Sequence, residues 1–274
     1  MLKQRIITAV LLVPAVLAAI FLLSPLYFAW VMAVVVLLGA WEWSNIMGLE
    51  EPGRRLKFVG LVAILQMGIF LLPGWLSINE PTVDFLIMAV AFCWWILALI
   101  WVIQFPGSSD LWGENKPLKT LMGLLVLIPA WLALLRLQAQ NPWWVMYVMG
   151  IVWGADTGAY FAGRKWGQRK LAPDVSPGKS IEGVIGGLSV TLILAVVVAV
   201  QIEMGLFKAL CFVFLTGFVC LVSVLGDLLE SMMKRHRGIK DSGNILPGHG
   251  GILDRIDSLT AAAPVFLLGW VLLF

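Results

Sequence analysis

Long apolar runs separated by short polar stretches make up most of this chain of 274 residues. A spanning helix needs about 20 mostly apolar residues, so a window of about 19 is the natural probe for one. It predicts nine membrane-spanning helices, at 6–23, 25–41, 58–75, 83–104, 121–137, 142–161, 182–200, 208–225 and 259–274. We therefore expect an all-α polytopic integral membrane protein.

The two predicted helices at the amino end are separated by Pro25, which restrains the residue before it and favours the start of a new helix. The first apolar run follows Lys3 and Arg5, as the core of a signal peptide would. It is about 18 residues long, however, and another span follows at once. We therefore expect the first helix to be retained.

The composition agrees with a membrane protein. The chain is 61% hydrophobic and 13% charged, whereas a soluble domain is about half apolar and a quarter charged. Its mean hydropathy is +0.95. Cys93, Cys211 and Cys220 all lie inside apolar runs, so they predict no disulfide framework.

The positions of the charges predict the orientation. With a cytoplasmic N-terminus and nine alternating spans, two of the 19 Lys and Arg residues, Arg136 and Lys208, fall on the outer side. Cytoplasmic loops carry such a positive excess because of the way in which helices insert. The pattern therefore favours both the orientation and the number of spans.

Two predicted cytoplasmic regions, 162–181 and 226–258, are polar and rich in glycine, so we expect the chemistry there. No internal repeat or low-complexity tract divides the chain. We interpret 1–274 as one membrane-embedded domain, with N-terminal helices at 1–137 and a catalytic portion at 142–274.

Four polar residues recur at helical spacing in SVLGDLLESMMKR, residues 223–235: Asp227, Glu230, Ser231 and Lys234. If the eighth span continues as a helix beyond the membrane, they form one stripe. An amphipathic helix leaving the membrane explains the same pattern. An ionised acid near hydrocarbon costs about 2.5–3.5 kcal/mol, so it needs a cation or a water-filled cavity.

At the start of the last span, Asp254, Asp257 and Ser258 share one helix face. Capping of the helix explains one of these acids, but not two. Carboxylates without nearby cysteine or several histidines favour a hard cation, Mg²⁺ in preference to Zn²⁺. If the eighth and ninth spans meet at this end, Asp227 and Asp254 would hold such ions together.

Basic residues and glycines surround these acids: Lys234, Arg235, Arg237 and Lys240, with Gly248, Gly250 and Gly251. A metal within a ring of Lys and Arg suits a polyphosphate. The glycines permit close approach of a ligand, and successive N–H groups in such a turn bind phosphate oxygens. The alternative is that the basic residues only supply the positive-inside excess.

The second polar region has the same character. Asp156 lies in the sixth span, where a hydrogen bond to a neighbouring helix is the alternative to a functional role. The GKS at 178–180 is not a P-loop, because Pro173 stands where that motif needs glycine and we expect no strand before it. Lys179 remains a point charge for phosphate, and Ser176 or Ser180 is a candidate cap for the next helix.

Residues 231–257 have the pattern S-x-M-K-R-x₄-K-D-x-G-x₂-L-P-x-H-G-G-I-x-D-R-I-D. This resembles the signature of the phosphatidate cytidylyltransferases, also called CDP-diacylglycerol synthases. Four further stretches resemble the bacterial branch: AWEW at 40–43, VWGADTGAY at 152–160, LAPDVSPGKS at 171–180 and SVLGDLLES at 223–231. Many members have SPKKT where this chain has SPGKS, so Gly178 lacks the charge that those members carry at this position.

The resemblance implies an integral membrane homodimer that makes CDP-diacylglycerol and pyrophosphate from CTP and phosphatidic acid. It also implies a Mg²⁺-dependent site in which Asp227 and Asp254 match the metal-binding aspartates. We expect two metal ions, the second of open identity, with Asp257 as a third ligand and Asp156 and Glu230 as secondary candidates.

The charge of the substrates indicates what the other residues must do. Phosphatidate is already mostly ionised near neutral pH, so its attack on CTP needs charge neutralisation and in-line positioning more than a base. His249 either donates to the pyrophosphate leaving group or fixes the loop. The candidates for phosphate contacts are Lys179, Lys234, Arg235, Lys240 and Arg255, with Ser176, Gly250 and Gly251.

Other functions fit less well. A transporter or channel would place its ionisable groups near the midplane, whereas here they crowd one predicted face. The CDP-alcohol phosphotransferases resemble D-G-x₂-A-R at their metal site, but Asp257 is followed by Ser258 and no Ala-Arg follows. A structural protein needs no paired acids beside a basic loop. We expect an enzyme of the bacterial inner membrane, with its site facing the cytoplasm and no nucleic-acid partner.

Overall fold

The computed structural model describes residues 2–71 and 82–274, which are helical except for loops and one small hairpin. The helices are α1 (Leu2–Leu22), α2 (Pro25–Ile46), α3 (Pro52–Phe70), α4 (Thr82–Ile103), α5 (Ser109–Trp112), α6 (Lys116–Gln140), α7 (Pro142–Trp166), α8 (Ile181–Gln201), α9 (Leu206–Arg237) and α10 (Leu253–Leu273). The strands are β1 (Lys170–Ala172) and β2 (Ser176–Ser180). A helix lies over each predicted span, although residues 72–75 of the third lie outside the described residues.

Six of the described helices are long and apolar enough to cross a membrane: α2, α4 from Asp84 onward, α6, α8, α9 and α10. The chain is therefore an all-helical integral membrane protein in its architecture. Nine crossings and a cytoplasmic N-terminus stay predictions. Within the described residues the apolar helix at the amino end covers Val10–Leu22, and α3 and α7 do not meet the same test of length, hydropathy and charge.

Small residues allow the helices around the polar end to approach closely. A Cβ at Gly158 of α7 would lie 2.6 Å from the carbonyl oxygen of Gly186 in α8. A Cβ at Gly226 of α9 would lie 2.5 Å from the carbonyl oxygen of Asp257 in α10. Small residues at such crossings let helix backbones pack directly on one another in membranes. The crossing at Gly226 brings the neighbouring Asp227 beside α10.

The hairpin corrects one expectation. We expected no strand before the GKS sequence, but β1 precedes it and pairs antiparallel with β2, which contains it. The P-loop stays excluded by Pro173. Ser180 ends the strand and caps α8, because its hydroxyl oxygen accepts the N–H of Gly183 at 3.1 Å. Of the two predicted caps, Ser180 is confirmed and Ser176 is wrong.

The end of α9 and the start of α10 frame the signature loop, residues 238–252. α9 ends at Arg237, and the next residue, Gly238, has a left-handed φ of +74°, which suits glycine at a helix C-terminus. Gly250 has a φ of +85°, and its carbonyl oxygen accepts the N–H of Leu246 at 2.9 Å. The loop therefore folds back on itself before α10 begins.

A candidate active site between α9, α10 and the hairpin

The polar stripe predicted on α9 is present. The Ser231 hydroxyl donates to Asp227 Oδ1 at 3.0 Å, and Lys234 Nζ lies 3.1 Å from Glu230 Oε1. Both pairs are one helical turn apart, which is why they share a face. Glu230 is 3% and Lys234 8% exposed. Since buried charges are expensive unless they are paired, this side of the helix is built around charge neutralisation.

Lys234 joins α9 to α10. Its ammonium donates to Asp254 Oδ1 at 2.6 Å while it also contacts Glu230. Asp254 further accepts the backbone N–H of Ser242, at 3.2 and 3.0 Å from its two oxygens, and that of Gly251 at 2.8 Å. One carboxylate therefore holds together α9, the signature loop and the first turn of α10.

Asp227 is paired with the hairpin. Lys179 Nζ, on β2, lies 2.7 Å from Asp227 Oδ2. The Nε–H of Arg235 donates to the carbonyl oxygen of Val175 at 3.2 Å, so the hairpin is fastened to α9 at a second point. The GKS lysine thus reaches the acid that the resemblance assigns to metal, although it does not belong to a P-loop.

Asp257 and Asp156 complete the group of acids. Asp257 lies on α10 at the Gly226 crossing, and its carboxylate is close enough to Asp227 for the two charges to interact. Asp156 comes from α7, and its charge interacts with those of Lys179, Asp227 and Arg255. Predicted site residues from four stretches of the chain, α7, β2, α9 and α10, therefore lie close together at this end of the helices.

Two cavities open beside this cluster. The first, of about 650 Å³, is enclosed by the signature loop, and its lining includes Lys240, Asp241, Asn244, His249, Gly250 and Arg255. The second, of about 390 Å³, lies between α7, α8 and β2, and its lining includes Asp156, Tyr160, Arg164 and Lys179. The exposed Tyr160 lines this second cavity, and the exposed Phe161 packs edge-on against the Tyr160 ring. One cavity is thus mainly polar, and the other has charged groups next to an apolar surface.

Gly251 and Ser176 have other surroundings than expected, whereas both alternatives for the His249 side chain stay open. The N–H of Gly251 donates to Asp254, so it is not offered to a phosphate. Ser176 pairs with Ala172 in the hairpin and lines neither cavity. His249 holds the loop through its backbone, which accepts from Arg255 Nη2 at 2.8 Å. Its buried Nδ1 has no hydrogen-bond partner within residues 2–71 and 82–274.

Glu42 is a site residue that the sequence analysis missed. It lies on α2, is 1% exposed, and accepts hydrogen bonds from the Ser242 hydroxyl at 3.1 Å and the Leu253 N–H at 2.7 Å. An acid between two tryptophans in the AWEW stretch was the available signal, since a buried acid in an apolar run is rarely without a function. Its partners are more than 190 residues away in sequence, so the pattern gave no indication of them.

The acids of the site offer the oxygen ligands that Mg²⁺ prefers. Over the described part of the chain, no three His, Cys, Asp or Glu side chains are grouped closely enough to hold a metal ion. Mg²⁺ does not need such a cage, because at phosphate-transfer sites it is bound by one or two carboxylates together with substrate phosphates and water. Asp227 and Asp254 are hard oxygen donors, and each already has an ammonium at contact distance. This chemistry fits Mg²⁺ that arrives with phosphate.

The chain resembles known proteins over nearly its whole length. Residues 3–273 match the sequence model of the cytidylyltransferase family. A phosphatidate cytidylyltransferase of Pseudomonas aeruginosa is 46% identical over 268 residues, which are 97% of this chain and 96% of the relative. The phosphatidate cytidylyltransferase of Haemophilus influenzae is 44% identical over 283 residues, which cover 97% of this chain and 97% of the relative. That of Bacillus subtilis is 33% identical over 216 residues, which cover 77% of this chain and 79% of the relative. The similarity therefore includes the apolar helices as well as the signature loop.

Proposed function

The chain belongs to the cytidylyltransferase family, and we propose that it transfers the cytidylyl group of CTP to phosphatidic acid, giving CDP-diacylglycerol and pyrophosphate. The observation that carries this proposal is the junction of α9, α10 and the hairpin, where Lys179 contacts Asp227 and Lys234 contacts Asp254. Paired acids and ammonium groups at the polar end of apolar helices suit a reaction between a nucleotide and a lipid head group.

The two cavities suit the two substrates. The loop cavity is lined by Lys240, His249 and Arg255, and it is large enough for the triphosphate of CTP. The cavity between α7 and α8 suits the phosphate of phosphatidate, because Lys179 and Arg164 line it together with the exposed Tyr160. A lipid would present its head group there while its acyl chains stay in the bilayer.

The chemistry follows from the charges. A phosphate oxygen of phosphatidate attacks the α-phosphorus of CTP, and the bond from that phosphorus to the bridging oxygen of the β-phosphate breaks, so pyrophosphate leaves. The nucleophile is already an anion, so no base has to remove a proton. The barrier is repulsion between two anions, and Lys179, Lys240 and Arg255 lower it by neutralising and orienting phosphates.

Asp227 and Asp254 would hold Mg²⁺, with Asp257 as a further ligand, and the bound ion would neutralise charge on the attacking and leaving oxygens. Asp156 and Glu230 remain secondary candidates, and a second metal ion is part of the proposal. Lys234 lies between Glu230 and Asp254, so its task is to keep two buried carboxylates in place.

The orientation is part of the same proposal. A cytoplasmic N-terminus places the site on the cytoplasmic side of the bacterial inner membrane, where CTP is available. The distribution of Lys and Arg supports this placement, since Arg136 and Lys208 alone fall on the other side. From the resemblance to the family, we also expect the chain to assemble as a homodimer.

The test uses the purified chain in mixed micelles with phosphatidate, Mg²⁺ and CTP labelled on the α-phosphate. We expect a labelled CDP-lipid and release of unlabelled pyrophosphate, both lost with EDTA and recovered with excess Mg²⁺. A parallel reaction with CTP labelled on the γ-phosphate should leave the lipid unlabelled. Absence of CDP-lipid from a folded protein would overturn the proposed function.

A further inference from the structure

Glu42 stands apart from the acids of the proposed mechanism. It is nearly fully buried on α2, and its Oε2 accepts from both the Ser242 hydroxyl and the Leu253 N–H. Its Oε1 has no hydrogen-bond partner among the described residues. Burying a carboxylate costs free energy unless its contacts compensate for the loss of water, so these two hydrogen bonds give a structural reason for its place on α2: they fix the residues that donate them.

One of the contacts caps a helix. Leu253 is the first residue of α10, and Ile252, at the N-cap position, has no side chain that can accept a hydrogen bond. The free N–H groups and the positive dipole end of a helix favour a carboxylate at this place. Glu42 therefore supplies, from α2, the cap that the sequence of α10 lacks.

The second contact fixes the signature loop. The Ser242 hydroxyl donates to Glu42, while the N–H of the same residue donates to Asp254. Gly243 and Gly251 pack so tightly on the Glu42 carboxylate that a Cβ at either position would overlap it. The loop is thus fitted around this one side chain on two sides.

We propose that Glu42 is a positioning residue of the active site, which holds the start of α10 and the signature loop so that Asp254 faces Lys234 and α9. Within residues 2–71 and 82–274 the hydrogen bonds of the Glu42 carboxylate go to Ser242 and Leu253, neither of which lines a proposed substrate cavity, so it acts through these two residues. The proposal rests on the proposed function for its kinetic part, whereas its structural part can be tested without substrate.

The experiment compares Glu42→Ala and Glu42→Gln with the parent and with Glu51→Gln, a control at an exposed glutamate. Hydrogen exchange of the backbone amides over residues 239–256 is measured without substrate, and kcat and KM for each substrate are measured with it. Glutamine keeps one carbonyl oxygen for Leu253 and Ser242, so it preserves the hydrogen bonds and removes only the charge.

We expect Glu42→Ala to exchange faster over residues 239–256 and to lose at least about tenfold in kcat, with KM for phosphatidate unchanged, because two buried hydrogen bonds are lost, one of which caps α10. Glu42→Gln should restore most of both properties. Parent-like exchange or parent-like kcat in Glu42→Ala would overturn the proposal. So would a Glu42→Gln variant that is as inactive as Glu42→Ala but exchanges like the parent, because the charge itself would then be needed.

Ser242→Ala gives the same test if Glu42→Ala does not fold, since it removes a single hydrogen bond from the carboxylate. A smaller rise in exchange and a smaller loss of kcat are expected, and parent values for both would overturn the proposal. A parent chain without transferase activity would remove the proposed function, yet the exchange measurements would still decide the role of Glu42.

Discussion

Replacing Lys234 with methionine tests whether the buried charges of the site are held as a group. The ammonium lies 2.6 Å from Asp254 Oδ1 and 3.1 Å from Glu230 Oε1. Methionine keeps much of the length and the apolar stem of lysine but removes the charge. Two carboxylates are then left without their shared cation, and Glu230 is too deeply buried for water to replace it.

The expected cost follows from that geometry. Removing one partner of a buried ion pair costs about 3–5 kcal/mol, because the other charge stays buried and uncompensated. At roughly 2–4 °C per kcal/mol for a chain of this size, Tm should fall by about 6–20 °C. Turnover should fall by about 100-fold or more, the usual effect of displacing a catalytic group, because Asp254 loses the ammonium that holds it in place.

A double variant separates stability from activity. Adding Glu230→Gln to Lys234→Met removes one of the two stranded carboxylates, so part of the lost Tm should return. Turnover should not return, because Asp254 still lacks its partner. Lys208→Met is the matched control, since Lys208 is exposed on the same helix and should change neither property.

The assay is thermal unfolding of each purified variant in detergent, followed by the fluorescence of the 14 tryptophans, together with CDP-lipid formation. A Tm of Lys234→Met within error of the parent would refute the reasoning, because the two acids would then not depend on the ammonium. Full recovery of turnover in the double variant would refute the separation of the two roles.

Three further substitutions test other contacts of the site. Gly226→Ala should lower Tm and turnover, because the new Cβ would lie 2.5 Å from the Asp257 carbonyl oxygen. Gly205→Ala, at a glycine with open space around it, should change neither, and thermal unfolding and turnover assays distinguish the two variants. Lys179→Ala should lower kcat/KM by at least about tenfold, because it loses the Asp227 contact and a phosphate contact. Lys170→Ala, at an exposed strand position, should leave kcat/KM unchanged. Equal effects of the two variants would contradict the role of Lys179 in the site. Ser180→Ala should cost about 1 kcal/mol of stability through loss of the α8 cap, seen as a lower Tm, and an unchanged Tm would speak against that cap.

The helices and the polar stripe of α9 could be predicted because they depend on local periodicity. Apolar runs of the right length indicate helices, and the spacing of Asp227, Glu230, Ser231 and Lys234 places them on one face whatever surrounds them. The partners of these residues could not be predicted in the same way. Whether Lys234 turns to Asp254 depends on how α9 packs against α10, and this packing is set by the Gly226 crossing.

The hairpin and Glu42 show two further limits of a single sequence. The β1–β2 hairpin is too short for an alternating pattern to stand out, and β2 contains Pro177 and Gly178, residue types that are typical of turns. Glu42 is separated from Ser242 by 200 residues, so no local pattern joins them. The resemblance to the cytidylyltransferases identified the AWEW stretch but gave its acid no role.

In the proposed mechanism, cytidylyl transfer takes place at Asp227, which Lys179 contacts, and at Asp254, which Lys234 contacts. The most direct measurement is CDP-lipid formation by Asp227→Asn and Asp254→Asn, each first shown to be folded, beside Asp110→Asn as an exposed control. We predict that both site variants lose turnover while the control keeps it. Full turnover in a folded Asp227→Asn or Asp254→Asn variant would contradict the account.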